Sequence, residues 1–466
     1  MREMETPMDQ NFRIERDALG ELPVPQTAYW GIHTERARRT FTLSGRRVNP
    51  ALVRALAWVK LAACQTNAEL GFLEFSQAEA LEKACREVIE GELSEEFPLD
   101  ALQGGAGTST NMNVNEVLAN RTLEILGRTK GDYAYVHPID HVNLHQSTND
   151  VYPTALRLAA MFLLKELSDT IARLQGALQK RETDLAPFVK LGRTEWVGAV
   201  PMTLGAEFGA FAEALARDRW RVFKCGERIR VVNLGGTAVG TGLGAPRAYI
   251  FKVTESLRTL TGLNLCRAEN LVDATANQDA LVEVSGILQA HACNLAKVSQ
   301  DLRTLSAFGE IALPPLQAGS SIMPGKVNPV ALEAVIQESL WAQAQDMALT
   351  QAVQRGSLQI CEYMPLIADC LLGMLSGLGR ADQLLQTQVE GLRPQEEAMR
   401  SALDQAPTLV TALLPKLGYE ASGKLSEEFI ASGRKDALVF LEERLGKETV
   451  GSCLTSEALI ALGGAR

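Results

Sequence analysis

A chain of 466 residues, 46% hydrophobic and 22% charged, can bury two or three domains at ~100–200 residues each. It needs no staple of disulfides or metal to do so. The formal net charge of −10 excludes the basic stripe of a nucleic-acid-binding protein and gives no pull towards an anionic membrane, so an anionic substrate would have to be held by a local cluster of donors.

Eight cysteines at 64, 85, 225, 266, 293, 361, 370 and 453 form no CxxC pair, which predicts buried free thiols in a reducing compartment. The start, Met1 to Gln10, is polar and lacks the apolar stretch of a signal peptide. The apolar runs fall short of the ~20 residues that a membrane helix needs. The expectation is a cytoplasmic protein without a membrane or nucleic-acid partner.

In chain order, 21–45 is punctuated by Pro23, Pro25, Gly31 and Gly45 and reads as an irregular lead-in. From about 50 to 92, Leu52, Leu56, Val59 and Ala63 recur at three- and four-residue steps, which predicts helix. A polar, Gly-rich stretch follows over 98–113, then helix over 114–127. Long helical patterns fill the middle: Leu204, Phe208, Phe211 and Leu215 share one face, as do Leu281, Val284, Leu288 and Leu295. Ile229 to Leu234 is the best strand candidate. Loops are expected at 235–242 and 314–329. The pattern breaks near Arg393-Pro394, and the tail carries shorter helices with Gly418, Gly423, Gly433 and Gly446 between them. The regions are 1–144, 145–391 and 392–466. Helices this long and apolar are expected to hide their remaining faces by association between subunits.

Four polar segments carry candidate chemistry: Gly104-Gly-Ala-Gly-Thr-Ser-Thr-Asn-Met-Asn113, His145-Gln-Ser-Thr-Asn-Asp150, Gly192-Arg-Thr-Glu195 and Gly319-Ser-Ser-Ile-Met-Pro-Gly-Lys-Val-Asn-Pro329. Each of the first two reads by itself as a helix N-cap. The fourth sets a Ser-Ser pair between two glycines, followed by a lysine and an asparagine. That combination supplies a mobile hydroxyl, a cation and an amide, the groups needed to hold a carboxylate and remove a proton beside it.

Gly319 to Asn328 resembles the signature of the aspartase/fumarase superfamily. The other three segments fall where that family places its remaining active-site segments, Ala28-Tyr-Trp-Gly31 and Thr408-Leu-Val-Thr-Ala412 also look like it, and the resemblance runs from about 12 to 440. It implies a mainly all-α, three-domain fold around a central long-helix bundle, a homotetramer in which each site takes segments from three subunits, and no metal or organic cofactor. The implied reaction is an anti elimination across a small dicarboxylate that releases fumarate. Ser320 would be the base that takes the β-proton. Thr108, Ser147, Thr148 and the backbone near Ser321 would stabilise the aci-carboxylate. Lys326, Asn328 and Thr194 would hold the other carboxylate, and Asn149 would sit near the leaving group.

Gly105-Ala-Gly-Thr-Ser109, Gln146 to Pro153 and Leu271-Val-Asp-Ala-Thr275 look more like aspartases, which implies elimination of ammonia from L-aspartate. Hydration of fumarate to L-malate and a lyase acting on a substituted aspartate are the alternatives. The sequence departs from the family at Glu195, where His or Gln is usual. A carboxylate there suits an ammonium better than a hydroxyl by charge pairing. Leu305 to Ile311 is several residues shorter than usual, Cys361-Glu-Tyr-Met-Pro365 replaces a segment that more often begins Asn-Val, and Ile139 stands where a second anion site would call for asparagine.

Three signals are set aside. His141 and His145 are four apart, but zinc needs a third protein ligand and none is suggested. His291 on an apolar stripe reads as a satisfied core or interface histidine. Gly240-x-Gly242-x-Gly244 is not a dinucleotide fingerprint, because no βαβ unit surrounds it.

Overall fold

The computed structural model describes residues 11–460, and within them the protein is mainly helical. It opens on a hairpin, β1 (Phe12–Asp17) and β2 (Gly20–Pro25), closed by Ala18 and Leu19. The expected irregular lead-in from residue 21 is thus strand as far as Pro25, its Pro23 and Pro25 notwithstanding, and the hairpin inverts the usual alternation: Phe12 and Ile14 face solvent, while Glu15 is buried. The helices α1 (Ile32–Thr40), α2 (Pro50–Glu69), α3 (Phe75–Glu90) and α4 (Thr108–Ile125) follow. The expected helix over 50–92 is thus two, parted at Gly71, whose φ is +78°. The expected loop over 98–113 turns helical at Thr108, six residues before the apolar pattern begins.

The buried inward face of α1 explains the Tyr29-Trp30-Gly31 motif. Glu116 on α4 accepts hydrogen bonds from the backbone of Gly31, His33 and Thr34 and from the Thr34 hydroxyl. Glu15 accepts from the backbone of Ile32. Two carboxylates thus satisfy the open N–H groups of the first turn of α1 and complement its dipole. Burial pushes the Glu116 carboxyl up to about 7, against those donors. Only glycine fits here: a Cβ at Gly31 would lie 2.7 Å from Glu15 Oε2 and from the Tyr133 hydroxyl. Gly31→Ala should lower stability by roughly 1–3 kcal/mol, the usual cost of forcing a methyl into a packed site. An unchanged midpoint in chemical denaturation would show that the carboxylates simply step aside.

Beyond α4 run α5 (Thr148–Asp184), the hairpin β3 (Val189–Thr194) and β4 (Val197–Thr203), α6 (Leu204–Ile229), α7 (Arg247–Thr261), α8 (Leu271–Ala276), α9 (Asp279–Ala307), α10 (Val330–Val353) and α11 (Met364–Gly391). Hairpin β3–β4 was not anticipated. The strand expected over 229–234 shrinks to Val231–Val232, paired in parallel with Cys266–Arg267, because α6 continues through Ile229. In the tail, Gly433 ends the helix Tyr419–Ser432 in a left-handed conformation, as such caps do, but Gly423 lies inside that helix. The tail packs its own core around Leu409, Leu413, Phe429, Phe440 and Val450.

Two compact units divide the chain. The first takes the residues through Leu167, Val222–Gln289 and Ala342–Gly377. The second takes Ser168–Arg221, Ala290–Trp341 and the chain from Leu378 on. In the first unit α2 packs against α3 and α7. Within the second, α5, α6, α9 and α11 meet at a buried polar layer. There His291 lies between Asp218 and Asp382, at 3.0 Å from each, with all three side chains fully shielded from solvent. Thr170 donates to Asp382, and Asn294 donates to Asp218. His291 is therefore a core histidine, as expected, but one clamped between two acids.

Candidate active site

In the first unit two helix starts converge. Gly107, φ +89°, precedes Thr108, the first residue of α4, and a Cβ on Gly107 would lie 2.4 Å from the Tyr152 ring on α5. Asn111 on α4 donates to the Thr148 hydroxyl at 3.1 Å, and Thr148 opens α5. The first turns of α4 and α5 are thus packed together, so two positive dipole ends share one neighbourhood. Thr108, Ser147, Thr148 and Asn149 all belong to it. With its oxygen accepting from Asn111, the Thr148 hydroxyl keeps its own proton to give.

Asp150 anchors this corner. Its carboxylate accepts from the backbone of Ser147, Gly235 and Thr237, which binds the Gly-rich loop expected at 235–242 to the start of α5. Burial raises its carboxyl to about 6, against those three donors. Asn149 donates through Nδ2 to the Ala238 carbonyl at 2.7 Å. A carbonyl can only accept, so this bond turns the Asn149 amide oxygen outwards as an acceptor, which suits an ammonium.

Beneath lies a group that pattern reading missed. Lys60 is fully buried on α2 and donates to Asn143 Oδ1 at 2.7 Å and to Gln146 Oε1 at 2.9 Å. Asn111 and Asn115 donate to the same Asn143 oxygen. Burial lowers the Lys60 ammonium to about 7, opposed by the charge of Asp150. The available signal was a lysine inside the apolar run Ala55–Cys64, since lysines are almost never fully buried without partners. The segment around Cys361 also reaches this place: Ile360, Cys361 and Met364 border a small cleft beside Thr148 and Asn149.

The remaining predicted residues lie in the second unit, in two places. The loop 319–328 closes on itself. The Gly319 N–H donates to the Lys326 carbonyl at 2.8 Å, and Asn328 Nδ2 donates to the Gly319 carbonyl at 2.8 Å. A Cβ at Gly319 would lie 2.5 Å from the Lys326 carbonyl, so only glycine permits this closure. Ser320 Oγ accepts from the backbone N–H of Met323 at 2.9 Å and of Ile322 at 3.2 Å. Ser321 and Lys326 are exposed. Asn328 thus serves the loop's own closure, a part that its spacing in the sequence does not reveal.

Thr194 ends β3, and Glu195 and Trp196 form the two-residue turn to β4, with φ of +52° and +69°. Such turns favour Asn and Gly, because both residues must be left-handed. A Glu-Trp pair gives no turn signal, which is why the hairpin was not legible. Behind it, Glu310 is wholly buried and pairs with Lys190 and Arg193, so the shortened 305–311 segment supplies the anchor of the hairpin.

His141 and His145 serve local structure. His141 Nδ1 accepts from the His137 N–H, and His145 Nδ1 lies 2.7 Å from Asn67 Oδ1.

A lyase family profile matches residues 20–343 of the chain. Aspartate ammonia-lyase of Pseudomonas aeruginosa is 44% identical over 96% of this chain and 97% of its own. Among solved structures, a fumarate lyase:delta crystallin from Brucella melitensis, crystallised bound to cobalt, superposes with a TM-score of 0.92 at 41% identity, covering 97% of this chain and 100% of that one. The class II fumarase of Schistosoma mansoni gives 0.90 at 32% identity, over 96% of this chain and 99% of that one. The chain belongs to the aspartase/fumarase superfamily of lyases, and its mainly helical fold is the one its sequence implied.

Proposed function

We propose that the chain is an aspartate ammonia-lyase, which removes ammonia from L-aspartate to give fumarate. The observation that carries the reaction type is the position of Ser320 Oγ against two backbone N–H donors within the ten-residue signature loop. A serine hydroxyl is a poor base unless its alkoxide is stabilised, and preorganised N–H groups do that. Taking the β-proton puts charge on the neighbouring carboxylate. Thr108, Ser147 and Thr148, at two helix N-termini, with the backbone at Ser321, receive that charge. Lys326, Asn328 and Thr194 hold the other carboxylate. The Cα–N bond then breaks and the nitrogen leaves with its electron pair beside the Asn149 oxygen. No metal or organic cofactor enters this scheme.

The leaving group is chosen on two grounds. The relative at 44% identity over nearly the whole chain is named for ammonia release, against 32% for the fumarase. The Asn149 oxygen and the Glu195 carboxylate both suit a cation. The second reading, hydration of fumarate, has the fold and the loop in its favour. An assay of fumarate release from L-aspartate and L-malate, with ammonia measured in parallel, separates the two. Fumarate and ammonia from aspartate alone are expected, and fumarate from malate alone would overturn the reading.

We also infer a cytoplasmic homotetramer, each site drawing segments from three subunits. Trp220 and Phe223 on α6, and Leu340, Trp341 and Met347 on α10, are exposed, and large apolar side chains gathered on long helices call for a covering surface. All eight cysteines are free, as in a reducing compartment. Among the described residues one helix, α11, is long and apolar enough to cross a membrane by composition, but 67% of its most apolar stretch is packed inside the protein.

A further inference from the structure

In the first unit α2 and α3 pack side by side, with the start of one beside the end of the other. There Gly91, φ +95°, ends α3, and Leu93, φ +58°, is left-handed again two residues on. Two left-handed residues so close swing the short turn Ser94–Glu96 away from α3 and bring Phe97 back towards α2. A cavity of about 330 Å³ is left between them, within the ~300–1,000 Å³ of small-molecule pockets. Val48, Val53, Val88 and Phe97 border it, each no more than 8% exposed. Four charged side chains stand at its rim. Arg47 pairs with Glu95 at 2.8 Å, which makes one side of the rim a neutral couple. Arg54 on α2 and Glu92 just after α3 are exposed, and neither side chain makes a hydrogen bond or ion pair among the described residues. They border one cavity, yet they are too far apart to pair with each other.

We propose that this cavity binds an α-amino acid with a bulky apolar side chain, with Arg54 taking its carboxylate, Glu92 its ammonium, and the valines with Phe97 its side chain. Charge and shape decide the class together. An anion alone would leave Glu92 facing it unmatched, and a cation alone would leave Arg54 so. A ligand that carries both charges meets both, and it bridges the gap that the two side chains do not close themselves. Its charged end stays at the rim, partly in water, while its apolar body reaches the floor. Burial of that body supplies most of the affinity, and the two screened ion pairs decide which molecules are accepted. L-Aspartate is excluded, because its side-chain carboxylate would lie unpaired against the valines. None of the residues assigned to the elimination borders this cavity, so the site is separate from the candidate active site and the inference does not rest on the function proposed above. No bond is made or broken in it.

Isothermal titration calorimetry of the full chain with L-leucine, 4-methylpentanoate and 3-methylbutylamine tests the assignment. The second lacks the ammonium and the third lacks the carboxylate, on the same apolar body. L-Leucine should bind, and the loss of either charge should weaken binding by about fivefold, the upper scale of a screened ion pair. Glu92→Gln should bring the ratio of L-leucine to 4-methylpentanoate close to one and leave the ratio to 3-methylbutylamine standing. Arg54→Gln should do the reverse. Both side chains are exposed and unpaired, and each readout is a ratio of two ligands on one preparation, so poor folding of a variant does not move it. Excess fumarate should leave the binding of L-leucine unchanged. Absence of L-leucine binding, equal binding of all three ligands, ratios that survive their variants, or displacement by fumarate would each overturn the inference.

Discussion

Ser320→Ala should turn over at least ~100-fold more slowly than the native chain, the usual scale for a positioned general base, with KM little changed. The Oγ lies 2.9 Å and 3.2 Å from two backbone N–H groups. A proton taken by this oxygen leaves no net charge on it, and the same donors lower the cost of the alkoxide that must exist beforehand. The loop closes through Gly319, Lys326 and Asn328, none of which needs the Ser320 hydroxyl, so the variant should melt with the native protein. Initial rates of fumarate formation, with a thermal melt as control, decide the matter. Ser321→Ala is the informative neighbour, because its backbone N–H survives the change. Near-normal turnover by Ser320→Ala would remove the assigned base and leave the elimination without one.

The second large effect concerns stability. Burial by itself would drive the His291 imidazole towards neutrality, but Asp382 and Asp218 at 3.0 Å raise it to about 9. The other polar groups at these acids are the Thr170 hydroxyl, the Asn294 amide and the Arg221 guanidinium. A folded value above the unfolded one of ~6.5 means the protonated form is favoured in the native state. The contribution is therefore complete below about pH 6.5 and is lost as the pH rises through about 9. A gap of that size corresponds to about 3 kcal/mol, a large part of the 5–15 kcal/mol that holds a typical domain together. The denaturant midpoint should fall steeply between about pH 6.5 and 9. His291→Leu should lose roughly 3–5 kcal/mol near neutrality, since it strands two buried carboxylates, and it should abolish that slope. Adding Asp218→Asn and Asp382→Asn to His291→Leu should recover much of the loss, because a neutral layer carries no unpaired charge. A native midpoint that stays level across this range would mean that the clamp holds a neutral imidazole.

Much was legible in the residues alone. The long helices were, because Leu204, Phe208, Phe211 and Leu215, and likewise Leu281 to Leu295, bury one continuous stripe, and a stripe at helical period has a single local solution. The loop 319–328 was legible for a different reason. Gly319 has to be glycine to let the Lys326 carbonyl approach, and Gly325 has a φ of +80°, so its composition is dictated within ten residues. What the sequence by itself determined is the helical class, the signature loop and the reaction type they imply.

Tertiary structure decided the rest, wherever the partner of a residue lies far along the chain. Hairpin β1–β2 turns a charged face inwards because Glu15 has Ile32 N–H to meet, and no local pattern announces that. Lys60 becomes part of the substructure beneath the site only when Asn143 and Gln146 are folded over it. His291 became a charged clamp through acids 73 and 91 residues away in sequence. Burial without water makes each of these groups depend on one particular partner, and which partner that is depends on how the distant helices pack.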